Sequence, residues 1–205
     1  MGLSYSYDLV FPREQVWNVM DSVLKLCEEI NSEPNTRILL PDRVVELPFI
    51  AGNWAPGRPT FVTVDFTTSV RPLSFTIHPF FEVDNAIRRY LKTLDYEPRR
   101  NKSGDVSLQN IKLKVNPQGD NSYYYSCSEN FCSFSFAPVT SQMSMLYEAS
   151  PFIRKAFVDL LQKHQGIYGF FDNEEHFTRP IIWPPNLAGE PFYAWQQEIE
   201  ALLSK

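Results

Sequence analysis

Hydrophobic and polar residues alternate over "LSYSYDLVF" (3–11), with the period of a half-buried β-strand. Its apolar members are Tyr5, Tyr7, Leu9 and Phe11. Pro12 follows at once, and the apolar positions from Val16 to Ile30 then keep the spacing of a helix. Proline is tolerated in the first turn of a helix because its missing N–H would have no partner there. The pattern predicts a strand that passes directly into a helix, which ends near Pro34.

The residues after this helix are predicted to form strands and then a second helix. In "PTFVTVDFTTSV" (59–70), valines and Phe66 alternate with Thr63 and Asp65, as in an antiparallel strand with one solvated face. Further short strands are predicted at 36–41, 43–50 and 73–80. Helical spacing returns over 81–96, with arginine and lysine on the wetter side.

The polar segment "EPRRNKSGD" (97–105) is a linker candidate, because Pro98 and Gly104 interrupt it. Four strand-like runs follow, joined by turn residues, and they predict an antiparallel meander. These runs are 106–115, 122–127, 131–137 and 141–149.

Two helices are predicted to complete the chain, the first with Ser150 as N-cap and Gly166 as terminator, the second amphipathic over 190–203. The order of elements is typical of an α+β fold, with antiparallel sheets covered by helices, rather than of a doubly wound parallel sheet. Residues 1–97 and 105–205 are predicted as two similar sheet-plus-helix halves that pack as one compact unit. The order of elements differs between the halves, and no residue-level repeat is present.

Composition indicates a folded protein of ordinary charge. Of the 205 residues, 43% are hydrophobic and 21% are charged, which is enough apolar material for a core. Eight basic and three acidic residues lie between Arg88 and Lys114, whereas five basic residues accompany ten acidic ones from Asn116 to the end. The formal net charge of -5 disfavours nonspecific binding to nucleic acid or anionic lipid, so neither is a predicted partner.

Three cysteines make a poor disulfide framework, because at least one stays unpaired. Cys27 belongs to the apolar stripe of the first helix and is predicted to be a buried thiol. Cys127 and Cys132 flank a turn, so a cross-strand disulfide or two reduced thiols both fit, and reduced thiols are favoured. The N-terminus shows no signal-peptide pattern, and no run of about 18 apolar residues is present. The resulting prediction is a cytoplasmic location without membrane attachment.

Catalytic and cofactor motifs are missing from the sequence. Neither the G-x-S-x-G elbow nor the glycine-rich phosphate loops occur, so no cofactor and no metal site are predicted. Of the three histidines, His78 lies at a strand end, and His164 lies near a helix C-terminus, where the dipole favours a protonated imidazole. His176 is the third, and it adjoins carboxylates.

The densest chemistry is in "DNEEH" (172–176), inside the aromatic and proline-rich stretch 166–185. Its ionisable residues are Asp172, Glu174, Glu175 and His176. Asp172 and His176 could share a cation or act as an acid–base pair. Carboxylates this close repel one another and are most stable when hydrated, so the segment is predicted to be a solvated acidic tip held by two apolar anchors. Loops held in this way often carry binding surfaces.

Aromatic residues suggest a second kind of site. Trp54 lies in a proline-glycine loop, and with the aromatic residues of the meander it could line an apolar pocket between the halves. The alternative is that the rings fill a core between packed sheets, and this alternative is favoured. Asp65, on the polar face of its strand, is predicted to be solvated.

The sequence therefore favours a non-catalytic protein-interaction or regulatory module, of inhibitor or immunity type, whose acidic C-terminal surface meets a basic protein. Its candidate binding residues are Asp172, Glu174, Glu175, His176, Trp183, Trp54 and Asp65. The alternative is a small-ligand-binding protein or a metal-assisted hydrolase with a pocket between the halves. Its polar groups would come from Asp65, His78, Asp172 and His176.

Overall fold

A computed structural model describes residues 2–29, 32–52, 61–118, 130–174 and 179–191, together with 194, 197 and 201. The helices are α1 (Val16–Leu26), α2 (Asn85–Leu91), α3 (Ser141–Ala149) and α4 (Pro151–Lys163). The strands are β1 (Ser6–Pro12), β2 (Thr36–Leu39), β3 (Val44–Leu47), β4 (Val62–Asp65), β5 (Leu73–Ile77), β6 (Phe80–Phe81), β7 (Val106–Ser107), β8 (Ile111–Asn116), β9 (Phe131–Pro138), β10 (Tyr168–Asp172) and β11 (Ile181–Trp183). Within these residues, no helix is both long enough and apolar enough to cross a membrane.

Six strands form one antiparallel sheet in the order β11-β10-β1-β9-β8-β5. A three-stranded sheet, β3-β2-β4, contains the parallel pair β2–β4, and β6 pairs with β7. This segregation of helices and mainly antiparallel strands confirms the α+β class. The six-stranded sheet takes β1 and β5 from residues 1–97 and its other strands from 105–205, so the two predicted halves share one sheet.

The core lies on one face of the six-stranded sheet. Tyr7, Leu9 and Phe11 of β1 are fully buried there, as their alternation predicts. Buried residues of all four helices belong to the same cluster. A smaller cluster lies around Val10 of β1 and Phe170 of β10. Along each of these strands, these residues alternate with residues of the main core. The predicted burial of Cys27 is also found, and burial raises the pKa of its thiol to about 12.

The predicted strand at 141–149 is wrong, because this segment is helix α3. The Thr140 side chain accepts a hydrogen bond from the Met143 amide (3.2 Å), which caps the helix. Met143, Leu146 and Tyr147 have helical spacing, and all three are buried. The predicted run 106–115 is divided into β7 and β8. The run 122–127, with Cys127, lies outside the described residues.

Helix α4 begins as predicted, with the Ser150 side chain accepting from the Ile153 amide (3.2 Å). Ser150 also donates its hydroxyl to Asp84 Oδ2 (2.6 Å). The other oxygen of Asp84 accepts from the Ile87 amide (2.8 Å) and caps α2. Burial would raise the pKa of Asp84, but these hydrogen bonds outweigh it and hold the pKa below its ordinary value. One buried carboxylate therefore joins the starts of two helices.

The end of α4 differs from the prediction. Gln165, not Gly166, adopts the left-handed conformation (φ 55°), and the Gly166 amide bonds back to the Leu161 carbonyl (2.7 Å). Gly166 is required for space, since an added Cβ would lie 2.9 Å from Leu161 Cα.

We expect Gln165→Gly to raise the free energy of unfolding by up to about 1 kcal/mol, because glycine adopts this conformation without a Cβ penalty. Urea denaturation of both proteins measures the change. As a control, Gln162→Gly, at an exposed helical position of α4, should destabilise by about 0.5–1 kcal/mol. A loss of stability in Gln165→Gly would contradict this account of the helix end.

Candidate functional site

The described part of the acidic segment, 172–174, lies at the end of β10, which forms a hairpin with β11 at the edge of the six-stranded sheet. Tyr168, Phe170, Phe171 and Ile181 are buried, so the predicted anchors are present on both arms. Trp183 donates its indole N–H to the Gly166 carbonyl (2.8 Å), which ties β11 to the end of α4. Trp183 therefore has a structural contact, and it is half-buried.

Asp172 is not the hydrated, unpaired carboxylate that the sequence predicted. Its Oδ1 lies 3.0 Å from Arg179 Nε, and the two side chains are 22% and 5% exposed. The same oxygen accepts a hydrogen bond from the Glu174 amide (2.9 Å). A guanidinium this deeply buried requires a nearby negative charge, and Asp172 supplies it.

Glu174 lies two residues further on, at the exposed tip, with φ 64°. Its Oε1 accepts from the Ser4 amide (3.1 Å), so the tip holds the N-terminal segment. Glu175 and His176 lie outside the described residues, and a cation shared by Asp172 and His176 stays a prediction. Across the described part of the chain, no three His, Cys, Asp or Glu side chains are grouped to hold a metal ion.

Asp8 is a site residue that the sequence analysis missed. Ser6 pairs directly with Asp172 across β1 and β10, so Asp8, two residues along, lies on the same sheet face as Asp172. Ser6 donates to Asp8 Oδ2 (2.6 Å). Burial raises the pKa of Asp8, and Asp172 adds to the rise, while the Ser6 and Ser135 hydroxyls and Arg179 oppose it. We call Asp8, Asp172 and Arg179 the acid–arginine cluster.

We expect Asp8→Asn to stabilise the protein at pH 7, by an amount on the order of 1 kcal/mol. A folded-state pKa above the ordinary value of 3.8 means that folding favours the protonated acid, so the ionised form destabilises the native state at neutral pH. The gain should therefore shrink as the pH falls towards 3.8 and below. Urea denaturation across this range measures it, with exposed Asp42→Asn as the matched control. A loss of stability at pH 7 would contradict the assignment.

Asp65 and Trp54 do not join this cluster. Asp65 is exposed at the end of β4, and its Oδ1 accepts from both the amide (2.8 Å) and the hydroxyl (2.6 Å) of Thr67. These hydrogen bonds lower the pKa of Asp65 and close a local turn. Trp54 lies outside the described residues.

His78 lines a separate cleft of about 490 Å³. Its Nδ1 accepts from the Asn110 amide (3.1 Å), and burial lowers the pKa of the imidazole. Glu29 lines the same cleft and lies 3.8 Å from Arg99. The floor is apolar, formed by Pro48, Phe49 and Ile50. Of the polar residues proposed for a ligand pocket, His78 is found here, whereas Asp65 and Asp172 lie elsewhere.

A serine–histidine contact is present in the interior. Ser22 Oγ lies 2.8 Å from His164 Nε2 and accepts from Lys163 Nζ (3.0 Å). This arrangement has the distance of a nucleophile–base pair. Ser22 and His164 are each 7% exposed, so a substrate carbonyl has little access to the hydroxyl. The contact instead ties α1 to the C-terminus of α4.

A shallow groove of about 370 Å³ runs between α2 and α3. It is lined by one stripe from α2 and the turn that follows it, and by one stripe from α3, and both stripes have i, i+3, i+4, i+7 spacing. The stripes are Ala86, Arg89, Tyr90 and Thr93, and Gln142, Met145, Leu146 and Ala149. Met145 is 50% exposed, a high fraction for a large apolar side chain. We call these eight residues the α2–α3 groove.

The fold and these sites define an α+β protein with a salt-bridged hairpin, a polar cleft and an apolar groove. No protein-family model, curated protein or solved structure matches the chain. The geometry itself is therefore the basis for a functional assignment.

Proposed function

We propose that this chain is a non-catalytic protein-interaction or regulatory module, of inhibitor or immunity type, that contacts its partner through the α2–α3 groove. The observation that carries the proposal is the half-exposed Met145 side chain in a groove with an apolar floor. Exposed apolar side chains that line a concavity are characteristic of protein contact sites. The Ser22 hydroxyl and the Asp84 carboxylate, by contrast, are buried and hydrogen-bonded within the chain.

The acidic hairpin is a less favourable contact surface than the sequence suggested, because its carboxylates have partners within the chain. A basic partner there would compete with Arg179 for Asp172, and with the Ser4 amide for Glu174. Such competition reduces the net gain from each new ion pair. The groove residues Met145 and Arg89 make no comparable intrachain contact within the described residues. The groove is therefore the better-supported contact surface, and a basic partner of the hairpin remains a proposal of lower rank.

Substitution of Met145 by lysine tests the proposal. We expect Met145→Lys to reduce the yield of a partner that copurifies with the full chain by at least about tenfold, since an apolar contact would become a buried charge. Val44→Lys is the matched control, because Val44 is a comparably exposed apolar residue (55%) in the three-stranded sheet. Both variants should keep the unfolding midpoint of the parent. Equal partner recovery with the two variants would contradict the proposal.

A second candidate function is small-ligand binding in the cleft lined by His78 and Glu29, since polar groups there converge over an apolar floor. A ligand from a metabolite panel would raise the melting temperature by mass action. The shift should disappear in His78→Ala and persist in Met145→Lys. A shift that survives His78→Ala would place the ligand elsewhere. Metal-assisted hydrolysis depends on His176 and stays a prediction from the sequence.

A further inference from the structure

We infer that the α2–α3 groove receives an acidic amphipathic helix of a partner protein. This inference rests on the proposed function and specifies the partner's chemistry. Three features of the groove support it: its length, its floor and the charge of one wall.

The groove has the dimensions of a short helix contact. The α3 stripe covers two helical turns, or roughly 10 Å at the rise of an α-helix, and the opposite stripe runs from α2 into the turn after it. Ala86 and Ala149 are small, which lets a third helix approach closely, and Leu146 provides an apolar floor. Met145 has a flexible, polarisable side chain that adapts to different apolar partners. A helix laid in such a groove would present apolar residues at i, i+4 and i+7.

The α2 side of the groove carries positive charge. Arg89 lines the groove, and the exposed residues Arg88 and Lys92 are close to it in sequence but do not line the groove. Arg88 donates to Asn85, but in the described part of the chain neither Arg89 nor Lys92 forms a salt bridge. Carboxylates on the polar side of a bound helix would complement these charges, which favours acidic partners and speeds association.

Nucleic acid fits this surface less well than a helix. Phosphate contacts require cations distributed along a backbone path, but the α3 stripe contributes only Gln142 and apolar residues. The apolar floor has no aromatic ring other than Tyr90 on which bases could stack. An oligonucleotide is therefore a competing outcome to be tested.

The test uses two stapled 14-residue helical peptides with identical leucines at i, i+4 and i+7. One has glutamates on its remaining face and the other has lysines. Titration of the ¹⁵N-labelled full chain should show saturable amide shifts at 86–93 and 142–149 with the acidic peptide. The lysine peptide should bind at least about tenfold more weakly at low salt, and the difference should decrease as salt screens the charges.

Variants assign the binding to the groove. Replacing Arg89 and Lys92 together by glutamine should weaken the acidic peptide about tenfold, which corresponds to about 1.4 kcal/mol. Arg71→Gln is the matched control, since Arg71 is an exposed arginine outside the groove. Met145→Lys should abolish saturable binding of the peptide, whereas Val44→Lys should not.

The inference would be overturned by no saturable binding, by equal binding of both peptides, by insensitivity to the Arg89 and Lys92 changes, or by preference of the groove for a single-stranded oligonucleotide. Light scattering that shows a dimer dissociated by Met145→Lys would assign the groove to a second copy of this chain and would also overturn it. If Met145→Lys abolishes partner recovery while the acidic peptide fails to bind, the proposed function stands and the acidic helix is wrong. If partner recovery is unaffected, the proposed function itself fails.

Discussion

Replacing Arg179 by glutamine is expected to lower the free energy of unfolding at pH 7 by about 3–5 kcal/mol, as when one member of a buried ion pair is removed. Arg179 is 5% exposed, and its Nε lies 3.0 Å from Asp172 Oδ1. Its charge also stabilises the ionised form of Asp8 on the adjacent strand. The variant would leave two carboxylates of the acid–arginine cluster close together without this guanidinium. Urea denaturation at pH 7 measures the loss.

The pH dependence distinguishes a charge effect from a packing effect. Burial raises the pKa of Asp8, so Asp8 becomes protonated as the pH falls and no longer needs the guanidinium charge; the loss caused by Arg179→Gln should therefore decrease with falling pH. The Asp172→Asn and Arg179→Gln double variant should recover part of the stability at pH 7. If Arg179→Gln does not fold, Arg179→Lys, which keeps the positive charge, should lower the free energy of unfolding by a smaller amount.

A surface ion pair provides the matched control. Lys155 and Asp159 are 2.5 Å apart but are 65% and 54% exposed, so water screens their charges and Lys155→Gln should cost far less than Arg179→Gln. A similar cost for Lys155→Gln and Arg179→Gln, or a cost of Arg179→Gln that does not change with pH, would contradict the role given to the acid–arginine cluster.

Local sequence patterns predicted the features that depend on neighbouring residues, namely the buried face of a strand and the start of a helix. The alternation of Tyr7, Leu9 and Phe11 predicted the buried face of β1, and Ser150 predicted the start of α4. Both predictions depend only on neighbours within one turn or one strand. The order of strands in the sheet depends on contacts between residues more than one hundred positions apart, such as Ser6 with Asp172. No local period carries that information.

The wrong prediction at α3 shows that a short segment can fit both the two-residue period of a strand and the 3.6-residue period of a helix. In "SQMSMLYEA" the two methionines are two residues apart, which suggests one face of a strand. In the helix they point in different directions, so Met143 is 4% exposed and Met145 is 50% exposed. The Thr140 cap and the i, i+3, i+4 spacing were the signals that favoured a helix. The groove could not be predicted while one of its helices was assigned as a strand.

For the acidic hairpin, the sequence predicted the apolar anchors but not the ion pair of Asp172. The sequence located the acidic tip, and its anchors are buried, but Asp172 and Arg179 are paired across the hairpin and not along the chain. Asp8 was not singled out, because alternation shows which residues share a face and not what covers that face. Sequence reasoning therefore found Asp172 and missed both Asp8 and Arg179.

Phe157→Ala is expected to destabilise the protein by about 3–5 kcal/mol, which is the usual cost of truncating a fully buried aromatic side chain to alanine. Phe157 has no exposed surface, and its ring centroid lies 4.7 Å from those of Tyr7 and Phe136. It is 6.0 Å from Tyr147 and 6.1 Å from Phe81. One side chain of α4 therefore contacts β1, β9, α3 and β6. Thermal and urea denaturation measure the loss.

Two further variants show whether the cost arises from this central position. Phe157→Leu keeps most of the apolar volume and should cost about half as much, whereas Tyr96→Ala, at a 45% exposed aromatic residue, should cost less than about 1 kcal/mol. Because Tyr147 belongs to α3, the cavity in Phe157→Ala should also perturb the amide signals of 141–149 more than those of the three-stranded sheet. Equal costs for Phe157→Ala and Tyr96→Ala would mean that the helices and the six-stranded sheet do not share the core described above.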